Sequence, residues 1–440
     1  MNVSIINKYE KVKESILFCL LFIWMLIPFL KEIKIISSFV TKYEHTYIMT
    51  VGIIGVIFLL IEIYRSSLNK EKKQGYDKKM LPIILLCIYM MWTYISASFS
   101  ENTSIAFNGT NYRKEGYITY IAYAGFFACA FLIKSTKRKR ILINMLVIVA
   151  MLNIIAVESY YKNILDDLWV PRIKNRTCFL NRNHYGYYLL LATVSSIFLF
   201  ITQKNNMIKI LYLVSSLFLL YFLVLNNTFG CFIALIGILL FFIIYGICKK
   251  KIKPYMILLV IILIVMTLAN QNIRTTIEKN FKGLISNIND IVIAINSHGD
   301  EEAIKIAEKA GSKRIGLWIN GIRFFMERPI LGYGPDSLGV RYIKVGISND
   351  RPHNLLIQQA TTSGIVGLIT YVAAVGIIVI RGIKNLKFGN KINTIALASV
   401  IAYLISAMFG NSMYYTSPYF FVFLGMLMCE SMEAIEEREK

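Results

Sequence analysis

The residues best suited to chemistry in this 440-residue chain lie between Pro352 and Gly367: Pro352-His353-Asn354, nine residues, then Gly364-Ile365-Val366-Gly367. Proline is tolerated in the first turn of a helix, where its missing N–H is no loss, so the spacing predicts a helix opening at Pro352 with Arg351 or Asp350 at its cap. His353 then falls in the first turn, beside unpaired amides and the positive end of the helix dipole. That setting disfavours an imidazolium and leaves a neutral ring able to accept a proton, as a general base must. On a helical count His353, Ile357, Ala360, Gly364 and Gly367 share a face whose small residues admit a close neighbour. A polar residue standing at a membrane boundary accounts for the same histidine.

Further clusters of polar side chains lie upstream. Arg113 and Glu115 in the segment FNGTNYRKEGYITY precede a run rich in Tyr and Phe, where they could meet a phosphate on a lipid or simply anchor the interface. Arg172, Arg176 and the run Asn181-Arg182-Asn183-His184 stand just ahead of another apolar run. They suit an anion or sugar-hydroxyl site, and helix capping by Asn explains them too. Asn226-Asn227-Thr228 is short enough to force a tight hairpin, with its polar groups facing any cavity that opens outward there. Arg314, Trp318 and Gly321 fall on one helical stripe that Pro329 ends; Gly332 and Gly334 permit a tight turn near substrate or near the His353 helix.

The elements that must position these groups are membrane helices. The chain is 56% hydrophobic, with positive mean hydropathy, which is too apolar for an ordinary soluble domain. Apolar runs of about 15 to 20 residues, each long enough to span a bilayer, recur near 15–30, 48–64, 81–98, 117–133, 141–157, 186–202, 208–225, 229–247, 254–269, 364–380, 394–410 and 417–430. The expected fold is therefore all-α and polytopic, with about twelve transmembrane helices. Residues 1–269 carry the first nine, 270–352 form one large extracytoplasmic loop with amphipathic helices over 273–295 and 301–310, and 353–440 carry the motif helix and the last spans.

Lys and Arg set the orientation. They crowd the loops after the second, fourth, eighth and tenth runs, at Arg65 to Lys79, Lys134 to Arg140, Lys249 to Lys253 and Arg381 to Lys391, whereas Asn226–Thr228 and Asn411–Thr416 carry none. The first group is expected inside, as are both termini, in a multi-pass protein of the cytoplasmic membrane. The first run is followed by no small-residue cleavage signature, so it is read as retained. Net charge of +22 is then chiefly a topology signal, and its scatter over alternate loops argues against nucleic acid as a partner. Outer segments nevertheless hold Arg113, Arg172, Lys174, Arg176, Arg182, Arg314, Arg323, Arg328, Arg341 and Arg351, which suits an anionic partner there. All four histidines fall on that side, and only His353 has a context from which a role can be argued. The seven cysteines fall almost entirely inside spans without metal-like spacing and read as small apolar residues.

No phosphate-binding glycine loop, Asp-x-Asp pair or HExxH is present, so the expectation is no metal and no cofactor. Group transfer from a pre-activated donor, such as a sugar on a lipid pyrophosphate, remains. It needs a base at the acceptor hydroxyl and cations at the leaving phosphate, roles open to His353 and to Arg314 with Arg182 or Arg113. At these residues the chain resembles the O-antigen ligase and O-antigen polymerase (Wzy-like) superfamily. Arg314 with Trp318, the Pro329/Gly332/Gly334 segment, and His353-Asn354 followed by Gly364 and Gly367 carry the likeness, and Arg113-x-x-Gly116 and Asn181-x-Asn183 are weaker matches. The resemblance implies a metal-independent membrane glycosyltransferase with a polyprenyl-pyrophosphate glycan as donor and a glycan, lipid or protein as acceptor. His353 and Arg314 would be catalytic, the histidine activating the acceptor and the arginine binding pyrophosphate; Arg182, Arg113, Asn354, Trp318, Asn181, Gly332 and Gly334 would bind substrate. One departure stands out: where many relatives have Ser-Arg-Gly, this chain has Thr228-Phe229-Gly230, so Arg182 or another outer arginine would have to substitute, or the donor differs. The rival expectation from a different class is a secondary transporter of an anion or small solute, which would require ionisable residues at the midplane and a repeat relating the two halves.

Overall fold

The structure, a computed structural model, describes residues 3–68, 76–250, 254–269, 314–386 and 391–439, with isolated positions 271, 274, 275 and 278. In hydrocarbon every backbone amide and carbonyl must be bonded within its own segment, and the apolar runs accordingly fold as helices. In chain order these are α1 (Val3–Leu30), α2 (Lys34–Leu68), α3 (Tyr76–Ser98), α4 (Thr103–Asn108), α5 (Tyr117–Leu132), α6 (Thr136–Tyr161), α7 (Arg182–Thr202) and α8 (Asn206–Asn226). They continue as α9 (Phe229–Cys248), α10 (Pro254–Ala269), α11 (Arg314–Glu327), α12 (Gly339–Lys344), α13 (Leu355–Lys384), α14 (Lys391–Ala407) and α15 (Ser417–Glu439). Among the described residues nine helices are long and apolar enough to cross a membrane, α5 and α14 are shorter apolar helices, and α10 is a further apolar helix. Together they account for every one of the twelve apolar runs. The protein is an all-α polytopic membrane protein.

Small residues decide which helices touch. Gly52 and Gly55 of α2 face Ala122 and Gly125 of α5 so closely that a Cβ on Gly125 would lie 1.9 Å from the Gly52 carbonyl oxygen. Without a hydrophobic force between helices in lipid, such close backbone approach is what holds a pair together. Gly425 of α15 packs in the same way on the Phe127 carbonyl, so α5 is gripped from two sides. α7 is enclosed along its whole hydrophobic length, with α8 and α14 against it.

The basic loops and the polar segments expected outside fall at alternate helix ends along the chain. Beside the basic loops Lys13 and Arg65 share the carboxylates of Glu10 and Glu62, and Lys139 bonds Glu430 at 2.7 Å. In the polar segments Leu317, Phe324, Tyr333, Leu338 and Tyr342 form a small core of their own under α11 and α12. Apart from isolated positions 274, 275 and 278, the amphipathic helices expected over 273–295 and 301–310, and His298 between them, lie outside the described residues.

Candidate active site

The motif helix starts later than its sequence suggests. Asn354, not Arg351 or Asp350, caps α13: its Oδ1 accepts from the amides of Leu356 at 3.0 Å and Ile357 at 3.1 Å. Proline at 352 pushes Arg351 toward an extended backbone, which removes it from the helix, and Asn supplies the acceptor that the first amides lack. His353 therefore stands outside the helix with φ of 53°, a left-handed conformation that costs a non-glycine residue about 1–2 kcal/mol. Asn354 also donates from Nδ2 to the Met408 carbonyl at 3.2 Å, which ties the motif to the end of α14.

Further along, Gly364 breaks α13 with φ of 65° and ψ of −171°, a conformation open essentially to glycine alone. The shared face from His353 to Gly367 is thus interrupted. The carbonyls of Thr361 and Thr362, freed by the break, accept from the amides of Tyr333 and Gly334, each at 2.9 Å, and the Ile365 amide donates to Pro329 at 2.7 Å. Gly332 and Gly334, both at positive φ, make the turn that delivers those amides. The turn lies against the His353 helix, and its Gly334 donor is committed to that helix.

Most arginines of the segments expected outside are committed as well. Arg113 makes a two-pronged pair with Asp350, at 2.6 and 2.9 Å. Glu115 is bonded not to Arg113 but to Arg351, whose other nitrogen donates to Asp336 at 2.6 Å. Arg172 binds Glu32, Lys174 binds Glu158, and Arg328 and Arg341 share Glu101. Their charge is therefore explained inside the protein. Arg314, Arg176 and Arg182 make no side-chain hydrogen bond or ion pair with another described residue. Burial lowers the pKa of Arg314, which no carboxylate among the described residues offsets.

His353 is neutral at ordinary pH. Burial, then the positive charges of Arg314 and Arg113, push its pKa from 6.5 down to about 4 against the opposing pull of Asp350. Arg314 is thus the charge the ring feels most. The only polar partner of the ring among the described residues is Asn411, 3.3 Å from Nε2. Nearby, His184 Nδ1 meets the Tyr415 hydroxyl at 2.7 Å, so a second histidine has a defined setting after all. Asn411 and Tyr415 come from the loop between α14 and α15, which sequence marked only by its lack of charge.

Of the remaining expected residues, Asn181 caps α7 by accepting from the Asn183 amide, and Trp318 Nε1 is buried without a hydrogen-bond partner among the described residues. In the polar hairpin at 226–228, Asn226 Nδ2 donates to the carbonyls of Asn175 and Arg182. Phe229, at the position of the missing arginine, packs edge-on against Phe409. These contacts tie together the segments at which α5, α7, α13 and α15 begin. Among the described residues no group of three His, Cys, Asp or Glu side chains is placed to hold a metal ion.

A family model described as O-antigen ligase matches residues 214–372, from within α8 to within α13, and supports the O-antigen ligase and polymerase superfamily for this chain. The match includes Arg314, Trp318, His353 and Asn354 and stops short of Arg113, Glu115 and Arg182. No curated protein matches the chain.

Proposed function

We propose, taking the O-antigen ligase and polymerase superfamily as the premise, that this membrane protein transfers glycan from a polyprenyl-pyrophosphate donor to an acceptor hydroxyl at the outer face of the cytoplasmic membrane. His353 takes the proton of the acceptor hydroxyl as its oxygen forms a bond to the anomeric carbon. The bond from that carbon to the pyrophosphate oxygen breaks, and the lipid pyrophosphate leaves with the electron pair. Arg314 holds the departing phosphate, and charge that grows in the transition state is where fixed cations act most strongly. Arg182 stands in for the arginine absent at Phe229, since its backbone is bonded to the very hairpin from which that arginine would have come.

One observation carries this reading: a neutral imidazole whose strongest charged neighbour is an arginine with no partner among the described residues. Every other cation that acts on the ring is paired with a carboxylate. An unpaired, partly buried guanidinium beside a base suits an anionic leaving group better than it suits fold stability.

The test is His353→Ala in purified, detergent-solubilised protein supplied with lipid-linked glycan. Loss of glycan transfer by at least about a hundredfold is expected, with an unchanged melting temperature. Transfer that persists at the parent rate would remove His353 as the base. In cells lacking the protein, single repeats left on the carrier indicate a polymerase, and full-length chains left there indicate a ligase.

A further inference from the structure

Arg351 lies two residues before His353 and has no part in the chemistry above. The residue is 1% exposed, and its two terminal nitrogens are bound to Glu115 and to Asp336. Nη1 also lies 3.3 Å from both the carbonyl and the hydroxyl of Ser412. Each carboxylate is held in turn. Glu115, fully buried, accepts from the hydroxyls of Tyr123 and of Ser412, the latter at 2.9 Å. Asp336 accepts from the Thr110 amide at 2.6 Å and its hydroxyl at 2.9 Å. One guanidinium thus joins the segment before α5, the glycine turn, the segment carrying His353 and the loop carrying Asn411.

Burying three charges only to pin loops together is costly, and well-packed apolar residues of similar volume hold loops equally well or better. What a forked ion pair supplies beyond apolar contact is direction. His353 needs direction. Its backbone is in the left-handed region, no carboxylate bonds the ring, and Asn411, its polar partner, adjoins the Ser412 that Arg351 holds. A histidine base is commonly oriented by an acceptor bonded to its second nitrogen; here the flanking segments must do it.

We propose that Arg351, bridged by Glu115 and Asp336, is a positioning residue that fixes the direction of the His353 imidazole from two residues away. The proposal rests on the reading of His353 as the base. It makes Arg351 distinct from Arg314, because both of its terminal nitrogens are already bound to carboxylates.

Arg351→Lys keeps the charge but gathers it on one nitrogen and loses the planar fork whose separate nitrogens reach Glu115 and Asp336. In folded protein kcat should fall by about tenfold or more, with KM for the lipid-linked donor within about twofold, as expected when a reacting group is misplaced and binding is not. The acid-side break in the pH profile should also move from about 4 toward 6.5, as water reaches a loosened ring. A parent kcat and pH break per folded molecule, with only the yield of folded protein reduced, would overturn the proposal, and so would a rise in KM with kcat unchanged. Should Arg351→Lys fail to fold, Asp336→Asn, which keeps shape but removes one charge, is read by the same kcat and pH criteria. If His353→Ala stays active, the base assignment is lost; if His353→Ala is inactive while Arg351→Lys behaves as the parent, only the positioning role is lost.

Discussion

At His353 the backbone and the ring are held by different means. Asn354 and Pro352 fix where the chain enters α13, while burial and a ring of arginines fix the charge state. The depressed pKa has a definite sign for activity. A base with a pKa near 6.5 would lose half its activity by that pH, whereas a ring held near 4 stays unprotonated as pH falls through 6 and 5 and is lost only on approaching 4. Arg314, Arg113 and Arg351 push in this direction and Asp350 pushes back. Turnover of the lipid-linked donor should therefore be level from neutrality to about pH 5; a midpoint near 6.5 would show the ring to be hydrated.

Among the elements, α13 matters most because it is broken. Gly364 interrupts it where the glycine turn docks, and the break converts two helix carbonyls into acceptors for Tyr333 and Gly334. A Cβ at 364 would lie 1.9 Å from the Ile330 carbonyl oxygen and would add a side chain to a conformation reserved for glycine. Gly364→Ala should cost at least about 2–3 kcal/mol. It should lower the melting temperature in detergent and separate the turn bearing Asp336 from the helix bearing His353. A melting curve matching the parent would mean that the break is not needed. Gly367, which lacks a positive φ, places no such demand on the backbone.

For the whole molecule, the proposed function rests on dividing the arginines of the polar segments into those paired and those unpaired among the described residues. Arg172 is bound to the buried Glu32, to the Lys31 carbonyl at 2.8 Å and to Ser37 at 3.2 Å. Its replacement by Ala strands a buried carboxylate and should cost about 3 kcal/mol of stability, leaving donor affinity alone. Arg314→Ala should do the reverse: stability within about 0.5 kcal/mol of the parent and donor KM raised about tenfold or more. Melting curves and donor titrations on the two variants check both halves. Equal effects on both readouts would mean that the pairing pattern carries no functional information.

Much of this was legible in the residues themselves. Twelve apolar runs became twelve helices, because hydrocarbon leaves a spanning backbone no alternative, and run length is visible in one dimension. The spacing of Arg314, Trp318 and Gly321 and the stop at Pro329 held for the same local reason: α11 runs from Arg314 to Glu327, and a Cβ on Gly321 would touch Ile357 of α13. Pairing is not local. That Arg113 answers Asp350, that Arg351 answers Glu115 and Asp336, and that Asn411 meets His353 depend on which helix ends are neighbours. Glycine-to-backbone contacts such as Gly52 on Gly125 settle that adjacency between segments far apart in the chain. The kinds of groups in the polar segments were therefore set by the sequence, but which arginines find no partner among the described residues was decided by packing, since a charge is spent or spare only in relation to what the fold brings beside it.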